Sequence, residues 1–238
     1  MKHFIYTPFT GRGKSNKGNE WLKKRIEVFK EFTLKSLLQQ TNRNFTHWIG
    51  WCGKDKNNKL VQELDEYLEY IKYPHVFTYG GLAIWDDRKQ QEKRDLPRRL
   101  DKIIRDLTCE VQGVDLIYQT FLDSDDMYFN GVVEEIQNEE FEYKKAVGYK
   151  NGYVMNYSTL DIAEWNPITN PPFYTIMYPQ EVFVDPIKHI EYTGAYKSHE
   201  NVVETMNFKE LTGRKYIVGI HNNNIRTPWN HRFRGKRL

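Results

Sequence analysis

The sequence predicts an α/β protein built on a mainly parallel central sheet that helices cover on both faces. Short apolar runs recur along the chain, segments with helical apolar spacing separate them, and 39% of the 238 residues are hydrophobic. Strands that alternate with helices usually pair in parallel, because each crossover helix returns the chain to the same end of the sheet. A chain of this length can bury one large core, so we predict a single domain over residues 1–238 with a basic tail from about residue 230.

The amino-terminal half shows the alternation clearly. Pro8 ends the first apolar run, the helical pattern that follows has a break near Thr33, and Asp95 with Pro97 marks the start of a later helix. The period of the apolar pattern assigns each segment to a strand or a helix. In chain order the predicted elements are strand 3–7, helix 19–40, strand 46–52, helix 58–71, strand 76–79, helix 95–107 and strand 116–122.

The carboxyl-terminal half predicts shorter elements. Asn151-Gly152 is a strong turn dipeptide and predicts a β-hairpin between residues 145–150 and 153–157. A strand over 173–178 follows a Pro- and Asn-rich loop, and one late strand of the chain is expected to run antiparallel. The other predicted elements are helix 131–137, helix 198–206 and strand 216–220.

Charge and cysteine content narrow the class of protein. Thirty-five basic and 32 acidic residues give a net charge of +3, which does not by itself indicate nucleic-acid binding. Basic residues nevertheless cluster before the strand 116–122 and in the tail. Such clusters either form solvated surfaces or contact phosphate groups. Cys52 and Cys109 lack metal-ligand spacing, and no run of residues matches a signal peptide or a membrane span, so we expect a cytoplasmic protein.

Three carboxylates follow the apolar strand 116–122 directly, in the run Asp123-Ser124-Asp125-Asp126. Hard divalent cations such as Mg²⁺ and Mn²⁺ bind oxygen ligands and commonly take one or two protein carboxylates, leaving other positions to substrate phosphates. The same residue types also form turns and cap helices. The run is therefore either a metal site for a nucleotide-diphosphate substrate or a capping turn.

The carboxyl ends of parallel strands meet at one edge of the sheet, where ligands bind in a crevice. This rule places the acidic run beside Thr7, which ends the first predicted strand, and Trp51, which lies near the end of the second. His221 joins them if the last strand belongs to the same sheet.

Several stretches resemble glycosyltransferases of the GT-A fold. They are Arg25 on the first helix, the pattern Ser-Leu-x-x-Gln-Thr-x-x-x-Phe at residues 36–45, the Leu-Asp-x-Asp-Asp strand end at 122–126, and a late strand that finishes in His-Asn. Within that fold the chain is most similar to the rhamnosyltransferase-type families. The resemblance spans most of residues 3–230, and its most specific parts are residues 34–45 and 122–126.

The resemblance implies roles for individual residues. Asp125 would bind the Mn²⁺ or Mg²⁺ ion that bridges the donor diphosphate, and Asp123 would contact metal-bound water, ribose or sugar. His221 would be a further metal ligand, which makes Asp123, Asp125 and His221 the predicted metal set. Asp126 would either orient the donor sugar or cap the following helix.

Other residues are candidates for the donor and for the chemistry. Arg98 or Arg99 would meet the diphosphate unless both are solvent-exposed, and Thr7 and Trp51 would hold ribose and base unless Trp51 packs in the core. A direct displacement that inverts the anomeric carbon needs a general base. The candidates for that base are Glu200 and His199, with Asp161, Glu164 and Asp185 as rivals.

The predicted donor is a uridine or thymidine diphosphate sugar, and the predicted acceptor is a glycan or a lipid-linked glycan. The basic tail would bring the protein to anionic headgroups at roughly 1 kcal/mol per basic residue. Three alternatives stay open: a nucleotidyltransferase, a glycosyltransferase acting on modified nucleic-acid bases, and a noncatalytic carbohydrate- or nucleic-acid-binding protein.

Overall fold

The structure is a computed structural model that describes residues 1–10, 17–80, 90–193 and 199–221, with the backbone alone described for residues 90–95. Eleven strands are found in these ranges. They are β1 (Lys2–Pro8), β2 (Thr46–Gly50), β3 (His75–Thr78), β4 (Leu116–Phe121), β5 (Met127–Tyr128), β6 (Lys145–Tyr149), β7 (Gly152–Asn156), β8 (Ile162–Trp165), β9 (Tyr174–Pro179), β10 (Asn207–Leu211) and β11 (Tyr216–Ile220).

The helices alternate with the strands in the first half and shorten in the second. A π-helical segment (Phe29–Thr33) interrupts the first long helix where the sequence predicts a break, and 3₁₀ turns cover Gly53–Asn57 and His199–Asn201. Among the helices in the described ranges, none combines the length and apolarity needed to cross a membrane. The α-helices are α1 (Gly18–Val28), α2 (Leu34–Leu38), α3 (Lys59–Tyr70), α4 (Gln90–Asp106), α5 (Thr108–Val111), α6 (Val132–Gln137), α7 (Gln180–Phe183), α8 (Pro186–Thr193) and α9 (Val202–Thr205).

The large sheet has seven strands in the order β10-β6-β9-β4-β1-β2-β3. β1 pairs in parallel with both β2 and β4, and β2 pairs in parallel with β3. Within the described residues β9 alone runs against its neighbours β4 and β6. The mainly parallel sheet and the late antiparallel strand are therefore both confirmed.

Helices cover both faces of this sheet, and the two faces carry separate apolar clusters. One face packs against α1, α2, α3 and α6 through residues such as Leu22, Leu64 and Val132. The other packs against α4, α7 and α8 through residues such as Leu100 and Phe183. β1, β2 and β4 are buried along most of their length, which explains their near-continuous apolar sequences, whereas the edge strand β3 is only partly buried.

A second sheet has four strands in the order β5-β11-β7-β8 and packs on the face that carries α1. β11 is antiparallel to β5 and parallel to β7, and β7 is antiparallel to β8. The last strand therefore belongs to the second sheet and not to the large one.

The predicted hairpin between residues 145–150 and 153–157 is wrong. β6 pairs with β9 and β10 in the large sheet, whereas β7 pairs with β8 and β11 in the small one. Asn151-Gly152 carries the chain from one sheet to the other, and the hairpin lies one strand later, between β7 and β8. Gly152 is needed there for space, because a Cβ at this position would lie 2.3 Å from the Tyr216 ring.

Candidate functional site

The acidic turn, residues Asp123–Asp126, lies at the carboxyl end of β4. The Leu122 amide still bonds to the Tyr6 carbonyl of β1, and the Asp126 amide then donates to the Asp123 carbonyl at 3.2 Å. This bond closes a tight turn that leads directly into β5. The turn lies beside the carboxyl ends of β1 and β2, at the edge where ligands bind in sheets of this kind.

Exposure divides the four residues of the turn. Ser124, Asp125 and Asp126 are 1%, 6% and 5% exposed, whereas Asp123 is only half-buried. Polar groups removed from water need partners, and the three buried residues should therefore be bonded within the protein. Asp123 is the carboxylate of the turn that remains accessible to a ligand.

Arg25 is the main partner of the buried residues. Its Nη1 donates to Oδ2 of Asp125 at 2.5 Å and its Nη2 donates to Oδ1 at 2.6 Å, while its Nε donates to Oγ of Ser124 at 2.7 Å. Arg25 lies on the buried stripe of α1 and is 2% exposed. The two groups form a bidentate ion pair, the geometry that a guanidinium and a carboxylate prefer.

His221 and Tyr157 close the other side of Asp125. His221 Nε2 lies 3.2 Å from Oδ2 of Asp125, and the Tyr157 hydroxyl donates to the Asp125 carbonyl at 2.7 Å. Phe32, in the π-helical segment, stacks on the Tyr157 ring with centroids 3.5 Å apart, and the His221 ring lies parallel to Tyr157 with centroids 5.9 Å apart. The stack joins the first helix, the small sheet and the acidic turn.

Asp126 points towards β11. Its Oδ1 accepts a hydrogen bond from the Gly219 amide at 3.0 Å, and a Cβ on Gly219 would lie 2.1 Å from the Asp125 carbonyl oxygen. Burial, together with the neighbouring carboxylates of Asp125 and Asp123, raises the pKa of Asp126 well above its usual range. Asp126 thus ties the turn to the last strand; β5, not a helix, follows it.

The predicted metal set of Asp123, Asp125 and His221 is only partly assembled. His221 and Asp125 do meet, although β11 lies in the second sheet, but both oxygens of Asp125 accept hydrogen bonds from Arg25. Within the described ranges no group of three His, Cys, Asp or Glu residues is arranged to hold a metal ion. The side chains in place therefore do not fit a divalent ion at Asp125, because a guanidinium already balances that charge.

Thr7 and Trp51 are buried and do not face the crevice. Thr7 is fully buried and its hydroxyl donates to the Leu122 carbonyl at 2.8 Å. Trp51 is fully buried and stacks on Phe9 with ring centroids 4.5 Å apart. The prediction that they hold ribose and base is not supported by these positions, because a side chain needs accessible surface to contact a ligand.

A chain of hydrogen bonds missed by the sequence analysis runs behind the acidic turn. Because the Thr7 hydroxyl donates to Leu122, it must accept from His47 Nε2, 2.9 Å away. Nδ1 of His47 then accepts from the Tyr73 hydroxyl at 3.1 Å. Burial lowers the pKa of His47 to about 3, which keeps the imidazole neutral, and the hydrogen bonds to Thr7 and Tyr73 determine the tautomer. We call Tyr73, His47 and Thr7 the histidine relay.

Arg99 is not brought to the acidic turn. It is exposed on α4, and α4 packs on the face of the large sheet opposite to α1. Arg98 is exposed on the same helix. Arg25 supplies the guanidinium that reaches the turn. From the sequence, Arg25 was only one of the features that resemble GT-A glycosyltransferases.

The candidate bases lie in other parts of the chain. Glu200 is exposed in the 3₁₀ turn His199–Asn201 and accepts a hydrogen bond from Thr169 at 2.9 Å, and His199 is half-buried beside it. The other three candidates are bonded to different partners. Asp161 accepts from Thr159, Glu164 pairs with Arg214, and Asp185 caps α8. The choice among them stays a prediction.

Some predicted features fall outside the described residues. They are the Asn that follows His221 in the late His-Asn strand end and the basic tail 230–238.

Comparisons with known proteins give likenesses of structure only. No family model matches the sequence, and no curated protein matches it significantly. Residues 1–349 of TarS from S. aureus share 12% identity over 92% of this chain, with a TM-score of 0.45. The glycosyltransferase GlyE from Streptococcus pneumoniae TIGR4, in its apo form, shares 10% identity over 88%, with a TM-score of 0.43. The chain spans 60% and 45% of those two chains.

A nucleoside-diphosphate-sugar pyrophosphorylase from Vibrio cholerae RC9 is also similar, with 14% identity, a TM-score of 0.42 and 92% of each chain covered. Identities this low transfer no function to this chain. The resemblance to the rhamnosyltransferase-type families stays a prediction.

Proposed function

We propose that the protein is a glycosyltransferase that moves a sugar from a nucleoside-diphosphate sugar to a hydroxyl group. The observation that carries the proposal is the acidic turn at the carboxyl end of β4, beside the carboxyl ends of β1 and β2. Ligands of mainly parallel sheets bind outside this edge. A uridine or thymidine diphosphate sugar is the donor that the motif resemblance implies.

Asp123 is the residue of the turn that we expect to contact the donor. It is half-buried while its three neighbours are buried, so its carboxylate is the one that a ligand can reach. A carboxylate accepts hydrogen bonds, and the hydroxyls of a ribose or a sugar supply suitable donors. Asp125 and Asp126 support this position from behind, through Arg25 and Gly219.

The proposed reaction is a direct displacement. The bond between the anomeric carbon and the diphosphate oxygen breaks, and the nucleoside diphosphate leaves with the electron pair. The acceptor oxygen forms the new bond to that carbon, and its proton passes to a general base. Inversion of the anomeric carbon follows from this single step. Glu200 and His199 stay our candidates for the base, and an acceptor seated near the 3₁₀ turn would have to bring its hydroxyl within hydrogen-bond reach of one of them.

Dependence on Mn²⁺ or Mg²⁺ stays a prediction of the sequence. Arg25 occupies both oxygens of Asp125, and we derive no step through an ion at that residue. EDTA should abolish donor binding if an ion is required, and calorimetry of donor binding in EDTA and in Mn²⁺ decides the question.

The acceptor is proposed to be a glycan or a lipid-linked glycan. The support is the cluster of basic residues Arg226, Arg232, Arg234, Lys236 and Arg237, which would bind anionic headgroups. Removing residues 230–238 should reduce binding to anionic liposomes and leave donor hydrolysis unchanged. Binding of duplex DNA with steep salt dependence, without liposome binding, would instead favour a nucleic-acid acceptor.

The products identify the reaction. The protein is incubated with uridine and thymidine diphosphate sugars, with and without Mn²⁺, and nucleoside diphosphate and pyrophosphate are assayed separately. Release of nucleoside diphosphate that increases with an acceptor supports the proposal. Pyrophosphate formation from a nucleoside triphosphate and a sugar phosphate would identify a nucleotidyltransferase, and donor binding without any turnover would identify a binding protein.

A further inference from the structure

Arg25 and Asp125 form a buried, bidentate ion pair at the acidic turn. Asp125 is 6% exposed and Arg25 is 2% exposed, and two hydrogen bonds of 2.5 Å and 2.6 Å join them. Ser124 takes the third guanidinium donor, at Nε. All three nitrogens of the guanidinium therefore donate hydrogen bonds, which hold the Arg25 side chain in place.

The position of the guanidinium conflicts with that of an ion. A divalent cation bound by Asp125 would carry its charge close to one of the two oxygens that Arg25 already contacts. Like charges a few ångströms apart repel, and the repulsion grows in a buried site where water does not screen it. Releasing Arg25 would leave a guanidinium with 2% exposure without a carboxylate partner, which is costly.

His221 lies where a divalent ion would compete with Arg25 for Asp125. Its Nε2 lies 3.2 Å from Oδ2 of Asp125 and 3.4 Å from Nη1 of Arg25, on the side of Asp125 where an ion shared by the two residues would have to fit. Nε2 either donates to the carboxylate or accepts from the guanidinium, depending on the tautomer, and in both cases it is engaged with the Arg25–Asp125 pair.

We propose that Arg25 is the built-in counter-cation of the acidic turn, so that Asp125 and His221 bind no divalent ion and Asp123 alone presents charge to a ligand. Arg25 is then a positioning residue: it holds Asp125 and Ser124 and thereby sets the direction of Asp123. This inference concerns the ion alone and does not depend on the proposed glycosyl transfer.

The proposal predicts that removing the guanidinium creates a metal site. Arg25→Gln leaves Asp123, Asp125 and His221 without the competing charge, and these are suitable ligands for Mn²⁺. Free Mn²⁺ is measured by its electron paramagnetic resonance signal during titration of the full chain. Arg25→Gln should bind Mn²⁺ on the order of tenfold more tightly than the unmodified protein, because ligand charge sets affinity over decades. Adding Asp125→Asn to it should remove the gain.

Two controls separate the guanidinium from charge in general. Lys35→Gln removes one positive charge from an exposed pair with Glu31 and should leave Mn²⁺ binding unchanged. Arg25→Lys keeps the buried charge and should show a smaller gain than Arg25→Gln. Near-ultraviolet circular dichroism establishes that each variant is folded.

A variant that keeps Arg25 tests the proposal even if Arg25→Gln does not fold. His221→Gln in the otherwise unmodified chain should leave Mn²⁺ affinity unchanged, because His221 is engaged with Arg25 and Asp125. A tenfold loss of Mn²⁺ affinity in His221→Gln would overturn the proposal. So would an unmodified protein that binds Mn²⁺ as tightly as a folded Arg25→Gln variant.

Discussion

The histidine relay and the acidic turn both bury polar groups, but they stabilise them with different partners. Both remove polar groups from water beside the carboxyl end of β4, since the relay ends on the Leu122 carbonyl, one residue before Asp123. The relay is neutral and each of its donors meets one acceptor. The turn carries full charges, and its burial depends on the guanidinium of Arg25.

The partners of the two clusters also differ in sequence separation. The relay links Tyr73, His47 and Thr7, all in the first three strands and the segments that join them. The acidic turn takes its partners from α1, from Tyr157 just after β7 and from β11, up to 100 residues away. Because an unpaired buried charge costs more than an unpaired neutral group, single substitutions should damage the turn more than the relay.

Arg25→Met should have the largest effect. It leaves Asp125 buried without its counter-ion, and we expect a loss of about 3–5 kcal/mol in the free energy of unfolding. Urea denaturation measures the loss. The matched variant Lys35→Met breaks an exposed pair and should cost less than about 1 kcal/mol. Equal losses in the two variants would show that the buried pair is no more important than a surface one.

Gly219→Ala tests the packing of the turn against β11. Its Cβ would lie 2.1 Å from the Asp125 carbonyl oxygen and 2.5 Å from Tyr157, so backbone must shift, at a cost of about 1–3 kcal/mol. Gly53→Ala is the comparison, since its Cβ would lie 3.3 Å from the Tyr79 carbonyl, a tight contact but a much smaller overlap. Thermal unfolding should show a larger fall in the midpoint for Gly219→Ala than for Gly53→Ala, and equal midpoints would mean that the close approach at Gly219 is absent.

Three buried histidines, of which His47 belongs to the histidine relay, should make stability depend on pH. Burial lowers the pKa of His3 and His47 to about 3 and that of His189 to about 4. The unfolded chain binds a proton at each histidine below about pH 6.5 while the folded chain does not, so stability is complete above that pH and declines as the pH falls towards 4.

His47→Gln removes one of these titrating groups. The slope of unfolding free energy against pH between 6 and 4 should then decrease by up to about 1.4 kcal/mol per pH unit. Urea titrations at several pH values measure both slopes. Asp126 acts in the opposite direction in both proteins because its pKa is raised, so the difference between the slopes isolates His47. Identical slopes would show that His47 is already protonated in the folded state.

Tyr157→Phe should have the smallest effect. It deletes the hydroxyl that donates to the Asp125 carbonyl and keeps the ring that stacks on Phe32, so we expect a loss of about 1 kcal/mol. Tyr70→Phe, at a residue that is 85% exposed, should cost nothing measurable. A loss of several kcal/mol in Tyr157→Phe would mean that the hydroxyl also supports the ion pair.

The sequence predicts the elements of the amino-terminal half, because each has its own apolar pattern. Short apolar runs and the helical period of 3.6 place the strands and helices to within a few residues, except that α4 begins at Gln90 and not at the predicted Asp95. In the carboxyl-terminal half short strands divide between two sheets. Asn151-Gly152 shows a change of direction but not which partner the next strand takes, and the predicted hairpin was therefore wrong.

The candidate site was predictable in its position but not in its pairing. A strand that ends in three carboxylates identifies the acidic turn, whereas the separation of 100 residues between Arg25 and Asp125 leaves no local signal for their ion pair. The strand-end rule also selects an edge of the sheet without saying which side chains face the ligand. Thr7 and Trp51 lie at that edge but point into the core.

The most direct test of the proposed donor site compares two aspartates at opposite ends of β4. Asp123 is half-buried at the carboxyl end, where we propose that the donor binds, whereas Asp115 is exposed just before the amino end of the same strand. We predict that Asp123→Asn weakens binding of uridine or thymidine diphosphate sugar, measured by calorimetry, about tenfold or more, as expected for lost hydrogen bonds to a charged group. Asp115→Asn should bind the donor as the unmodified protein does. Equal donor affinity in the two variants would contradict the assignment of the acidic turn as the donor site.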